Sequence, residues 1–301
     1  MNLAAELSKR RVETATSRTA QMTCLSRACS FLERNPHYRS EDHIAPLLLP
    51  GGLRPLLHFS LIRKLFTKMA APKGVYEYVI ARTKYIDAAF KDALAESFEQ
   101  ILISGAGFDT RALRLGDATG NTTVFELDVP VTQKAKISQY EKRHLTVPPN
   151  VRFIAIDFDQ ESLSAKLDEA GFFKRRRSLF ILEGLIMYLQ SESVDGTFQT
   201  IRDYAGNKSR VVFDYVHASV LRGGGSEQDE KEIVRTVSKA GEQWHFGIEK
   251  GQIELFLSQY GLRLKDHKGA EALEKVYFTD STGQTVGKVN RTHCLVTAEK
   301  R

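Results

Sequence analysis

The stretch QILISGAGFDTRALRL, residues 100–115, decides how the rest of the chain is read. Its first five residues form a short apolar run with the length and composition of a buried strand. Gly105, Ala106 and Gly107 follow, a turn in which backbone approaches a ligand with no Cβ in the way. Residues 109–114 then suit a helix. A dinucleotide fingerprint would place a third glycine at position 110, where this chain has Thr110 preceded by Asp109. An acid at the start of that helix repels a diphosphate, so NAD and FAD are disfavoured.

Downstream the same grammar repeats. Strands are expected at 122–127, 151–156, 178–182 and 210–216, with helices near 131–143, 161–171 and 191–205. Short apolar strands alternating with helices predict an α/β fold with a mostly parallel sheet covered on both faces. A helix near 249–260 and strand-like runs at 261–266 and 292–298 close the chain. With no strong helix signal between those two runs, they are expected to form an antiparallel hairpin at one sheet edge. Upstream, helices are expected over 5–34 and 75–98. All eight prolines lie between Pro36 and Pro149, and five of them break 36–75 into short helices and turns. The chain therefore divides into an N-terminal helical cap, 1–80, and a body, 81–301.

The chemistry sits at the ends of the strands. The second ends in Phe125-Glu126-Leu127-Asp128, and an acid there is placed to accept both hydroxyls of a ribose. Glu126 shares a face with Asp128 by the two-residue period, but Asp128 stands further out. The third strand ends in Asp157-Phe158, a carboxylate for an adenine amino group and a ring to cover the base. The fourth ends in Glu183-Gly184, on the rim where open α/β sheets bind ligands. Acids or glycines at four successive strand ends specify an adenosine that carries positive charge and no phosphate. S-adenosylmethionine has that chemistry.

The ordered motifs ARTKYIDAAF (81–90), ILISGAGFDTRALRL (101–115), VFELDVP (124–130), FIAIDF (153–158) and FILEGLIMYL (180–189) resemble those of the leucine carboxyl methyltransferase-like family. The resemblance resumes at WHFGI (244–248). It implies a class I methyltransferase, with a Rossmann-like sheet and S-adenosylmethionine as cofactor. It further implies that Arg82 binds the methionyl carboxylate and that Gly105 and Gly107 line the methionyl end. Asp128 would hold the ribose, Asp157 and Phe158 would flank the adenine, and Glu183 would sit beside the methionyl amino group. Phe158 stands where the family usually has leucine. A second basic contact is expected from the N-terminal segment, with Arg18 the candidate.

A phenol or alcohol acceptor needs a base, whereas a carboxylate does not. Tyr188 and His217 are the candidate neighbours of the acceptor, each also readable as a packed tyrosine or a satisfied loop histidine. Trp244, Tyr76 and Tyr78 are further candidates for the acceptor wall. Lys174–Arg177 reads as a solvated turn. Gly223–Gly225 reads as a link before a helix at 227–240.

Composition bounds the partners. Of 301 residues, 42% are apolar, and 21 Gly with 8 Pro is too few for a fibrous or disordered chain. The net charge is +6, and residues 1–80, with twelve basic and six acidic side chains, carry all of it. The body is balanced, which argues against a nucleic-acid face. Three cysteines form no disulfide framework and no metal spacing, and neither a signal peptide nor a membrane-spanning run is visible. A cytoplasmic enzyme is expected, acting on a hydroxyl or carboxylate of a small polyketide-like molecule and using no metal, nucleic acid or membrane. Two alternatives stand beside it: carboxyl methylation of a protein C-terminus, and a cofactor-binding scaffold without turnover.

Overall fold

The computed structural model describes residues 16–70, 72–222, 233, 235 and 241–301. A seven-stranded sheet runs through it in the order β3-β2-β1-β4-β5-β7-β6. The strands are β1 Gln100–Ser104, β2 Thr123–Asp128, β3 Val151–Ala155, β4 Ser178–Leu182, β5 Arg210–Val216, β6 Leu262–Lys268 and β7 His293–Lys300. β1 to β5 are parallel, and β7 runs antiparallel to both β5 and β6. The expected antiparallel pair is therefore present, with two differences. β7 lies inside the sheet, between β5 and β6, and a helix at Ala270–Tyr277 fills the connection. Ala270, Leu273 and Tyr277 of that helix, at helical spacing, pack on the core beside β7, a signal of only eight residues.

Register positions the site. Ser104 pairs with Leu127 on one side and Leu182 on the other. The next residues of the three strands, Gly105, Asp128 and Glu183, thus emerge side by side at the C-terminal edge. The order reverses between β1 and β4, and such switch points open the ligand crevice of doubly wound sheets.

Side chains alternate across the strands as a two-residue period requires. Leu102, Phe125, Phe180 and Phe213 join one core, against Phe198 of the helix Ser191–Tyr204. Ile101, Ile103, Val124 and Ile181 join the other, against Ile86 and Phe90 of the helix Val75–Ala95. That helix starts after Gly74 and stops where Ser97 turns left-handed, with φ 56°. It carries Tyr78 and Arg82 one turn apart on its buried face.

Before it come the helices Arg18–Phe31, Ala45–Leu48 and Ser60–Ala70. Ser17 caps the first by accepting from the Ala20 amide at 3.0 Å. Their core, with Cys24, Ala28, Leu48 and Leu57, also takes in Phe108 and Tyr140 from the body. The helix expected over 5–34 is seen from Arg18, with 5–15 outside the described residues. The Gly223–Gly225 link and most of the helix expected at 227–240 also lie outside them.

Candidate active site

A cavity of about 480 Å³ opens along the C-terminal ends of the parallel strands. Gly105, Gly107, Asp128, Asp157, Phe158 and Glu183 all line it, as do Arg82 and Tyr188. The glycine turn is built for close approach. Gly105 has φ +67°, and a Cβ there would stand 3.0 Å from Leu185 Cδ1. The turn is pinned to the next strand by the Ala106 amide, which donates to the Leu127 carbonyl at 2.8 Å.

Asp128 is the acid at the β2 tip. One of its oxygens accepts from the Gly107 amide, the other from the Val129 amide at 2.7 Å. Burial raises its carboxyl to about 6, against the pull of those two amides. Glu126, two residues back, points into the core, where Lys136 donates to it at 2.5 Å and both side chains are only 1% exposed. The shared face does not bring Glu126 to the cavity, because its charge is consumed by Lys136.

Around the inner end lies a network of buried charges. Arg82 meets Glu183 through Nε at 3.0 Å and Asp214 through Nη1 at 2.8 Å. Arg111 donates to the other Glu183 oxygen at 2.7 Å and to Asp87 at 2.7 Å, and also pairs with Asp109. Burial pushes Asp109 up, but Arg111 and other cations outweigh it and hold its carboxyl at about 2. Arg27 pairs with Asp42 at 2.8 Å and donates to the Phe108 carbonyl at 2.5 Å. Arg114, paired with Asp87, completes the set. Five carboxylates thus face four arginines, which favours a cationic ligand at this end. Each charge is buried only because it is paired.

Two of the candidate residues, Arg18 and His217, lie outside the cavity lining. Arg18 is exposed and outside the cavity lining, and its backbone amide donates to Glu242 at 2.8 Å. Arg27 is the N-terminal arginine in the wall, about two and a half helical turns on. No local pattern separates the two; the ion pair with Asp42 and the hydrogen bond to the Phe108 carbonyl hold Arg27 inward. His217 also lies outside the lining: it follows β5 and faces the Cys294 sulfur at 3.5 Å. Sequence places it near a strand end, but the antiparallel β7 covers that position. His245 and His293 line the cavity instead. His245 stands within the WHFGI motif, which signals it; His293 opens β7 and has no such mark.

The ring of His293 stacks on Tyr78 at 4.3 Å and meets Trp244 edge-on at 5.3 Å. Burial lowers its pKa to about 4, so it is neutral near pH 7. Tyr188 is raised to about 12 by burial and keeps its phenolic proton. Trp244 and Tyr78 stand behind the wall, outside the lining, as does Tyr76.

The sequence profile described as leucine carboxyl methyltransferase matches residues 20–202. The chain belongs to the leucine carboxyl methyltransferase family. Bacillus subtilis YktD, named as an S-adenosyl-L-methionine-dependent methyltransferase, is 26% identical over 67% of this chain and 66% of its own length. A Mycobacterium ulcerans protein of the same descriptive name is 32% identical over 65% of each chain. The matched part therefore spans about 65% of these relatives. A solved Thermobifida fusca structure described as a methyltransferase superposes with a TM-score of 0.54. It is 16% identical, covering 87% of this chain and 95% of that one. That likeness shows a shared fold over most of this chain.

Proposed function

We propose that this chain binds S-adenosylmethionine and methylates an oxygen of a small molecule, a carboxylate or an acidic hydroxyl. The residues at the cavity fit the cofactor. Gly105 and Gly107 leave room against backbone, Asp128 presents a carboxylate to a ribose, and Asp157 with Phe158 offers an acceptor and a ring to the adenine. Arg82 takes the carboxylate of the amino-acid end, and Arg27 is the second arginine of the lining. Both Glu183 oxygens already hold arginines, so it supports an ammonium group while sharing its charge with Arg82 and Arg111.

When bound, the cofactor supplies a methyl group on a sulfonium, open to in-line attack by oxygen. The protein's part is to align the acceptor and exclude water. The excess of carboxylates stabilises positive charge at this end and stabilises it less once that charge is gone, which favours product release. Tyr188 and His293 are poor bases near pH 7, one still protonated and the other with a lowered affinity for protons. Such a wall suits an acceptor that arrives ionised, which needs no base.

The observation that carries a small acceptor is the roof. Glu242 accepts from the amides of Arg18 at 2.8 Å and Thr19 at 3.1 Å, at the start of the helix Arg18–Phe31. This ties the 241–245 strap to the N-terminal helix, and both line the cavity. Among the described residues this tie narrows the mouth of the cavity, which supports a small acceptor over a protein tail. The test is transfer of labelled methyl from S-adenosylmethionine to a cell extract, split by size. Label in the low-molecular-weight fraction is expected. Base-labile label on protein would instead support C-terminal carboxyl methylation, and cofactor binding with no label anywhere would support a scaffold.

A further inference from the structure

We propose that Asp214, a carboxylate of β5 outside the cavity lining, is the positioning residue that aims Arg82 at the amino-acid end of the cofactor. The inference rests on the cofactor reading above and adds a residue that no motif marks. Asp214 is 0% exposed, and three donors from two separate elements converge on it. Its Oδ2 accepts from Arg82 Nη1 at 2.8 Å and from the Tyr78 hydroxyl at 2.7 Å, both on the helix Val75–Ala95. Its Oδ1 accepts from the Gly184 amide at 2.6 Å, in the turn that follows β4.

Register explains the convergence. Leu182 of β4 pairs with Phe213 of β5, so Glu183, just past the end of β4, comes beside Asp214 of β5. Arg82 reaches both, Glu183 with Nε and Asp214 with Nη1. Neither ion pair uses Nη2, which is the donor left for a ligand. Gly184 permits the close packing: its φ is +58°, and a Cβ there would come within 3.2 Å of Arg82 Nη1.

A fully buried aspartate is a poor way to gain stability, since an apolar side chain of similar size avoids its desolvation. Its three bonds instead fix two parts of the cavity wall, the guanidinium plane and the Gly184 turn. An arginine with one partner rotates about that contact, whereas two partners on adjacent strands hold it in one plane. Tyr78, one turn before Arg82 on the same helix, donates to the same Asp214 oxygen and fixes it further.

The test is calorimetry on the whole protein with two probes, S-adenosylhomocysteine and 5′-methylthioadenosine. The second keeps the adenosine and the thioether and lacks the amino-acid end. In Asp214→Asn one oxygen becomes an amide donor, which faces either the Gly184 amide or the Arg82 and Tyr78 donors. Its S-adenosylhomocysteine affinity is expected to fall about tenfold, with 5′-methylthioadenosine changed less than about twofold. Tyr78→Phe removes one neutral donor and is expected to lose about threefold, again for S-adenosylhomocysteine alone.

Equal losses for both probes, or no loss in a folded variant, would overturn the inference. If Asp214→Asn does not fold by circular dichroism, Tyr78→Phe decides by the same two criteria. A wild-type protein that binds neither probe would remove the cofactor reading, and this inference with it. Wild-type binding of both probes with S-adenosylhomocysteine indifferent to Asp214 would remove the inference alone.

Discussion

Asp128 and Glu126 show how two acids of one strand part company. Both are raised to about 6 by burial, yet one faces the cavity and the other faces Lys136. Ribose hydroxyls donate to an ionised carboxylate, so cofactor affinity should follow the charge on Asp128. Its protonated form predominates below about pH 6 and binds a diol poorly. S-adenosylhomocysteine affinity is therefore expected to be flat above pH 7 and to fall by up to about tenfold per unit below 6. Calorimetry across pH 5–8 checks this, and Asp128→Asn should abolish the slope. Asp128→Ala should cost about 1.5–3 kcal/mol of binding. Lys136→Met tests the other acid. It strands a buried carboxylate and should cost about 3–5 kcal/mol of stability by denaturant titration. Adding Glu126→Leu should recover most of the loss, because no charge then remains buried.

At the scale of elements, the turn between β1 and the helix beginning at Arg111 is where the backbone requires glycine. Gly105→Ala should cost about 1–2 kcal/mol of folding stability from its left-handed φ, and weaken S-adenosylhomocysteine as Leu185 is displaced. Gly171→Ala is the control. Its φ is +77°, with nothing within 4 Å of a Cβ, so it should show the strain without the loss of binding. The parallel strands were legible because each is an apolar run ending at a turn signal, and their bounds are found within a residue or two. The last two were legible as strands but not in their order. Hydropathy reports that β7 is buried on both faces, and it contains nothing that says which neighbours bury it.

For the whole molecule, the N-terminal helices are part of the site. Thr19, Ala20, Thr23 and Arg27 form one wall of the cavity, and the core of these helices includes Phe108 and Tyr140 of the body. A chain begun at Lys73 should therefore bind no measurable S-adenosylhomocysteine and unfold at lower denaturant, because Phe108 and Tyr140 lose their cover. Retention of wild-type binding by that truncation would show the body to be sufficient. The basic excess of residues 1–80 is also spent unevenly. Arg27 and Arg63 turn inward to Asp42 and Glu33, while Lys64 and Lys68 remain exposed.

The sequence by itself determined the strands, the glycine turn and the acids at the strand tips. Those features follow from local periodicity and from what a chain must do where a strand meets a helix. It also put Asp128 and Glu183 on one edge, since strand ends in a parallel sheet share an edge whatever their order. Tertiary structure decided the rest. It put Arg27 rather than Arg18, and His293 rather than His217, in the cavity lining. It gave Glu126 to Lys136 and buried Asp214 behind Arg82. Each of those outcomes depends on which charge reaches a partner across an interface, and burial makes that pairing obligatory without recording it in the local sequence.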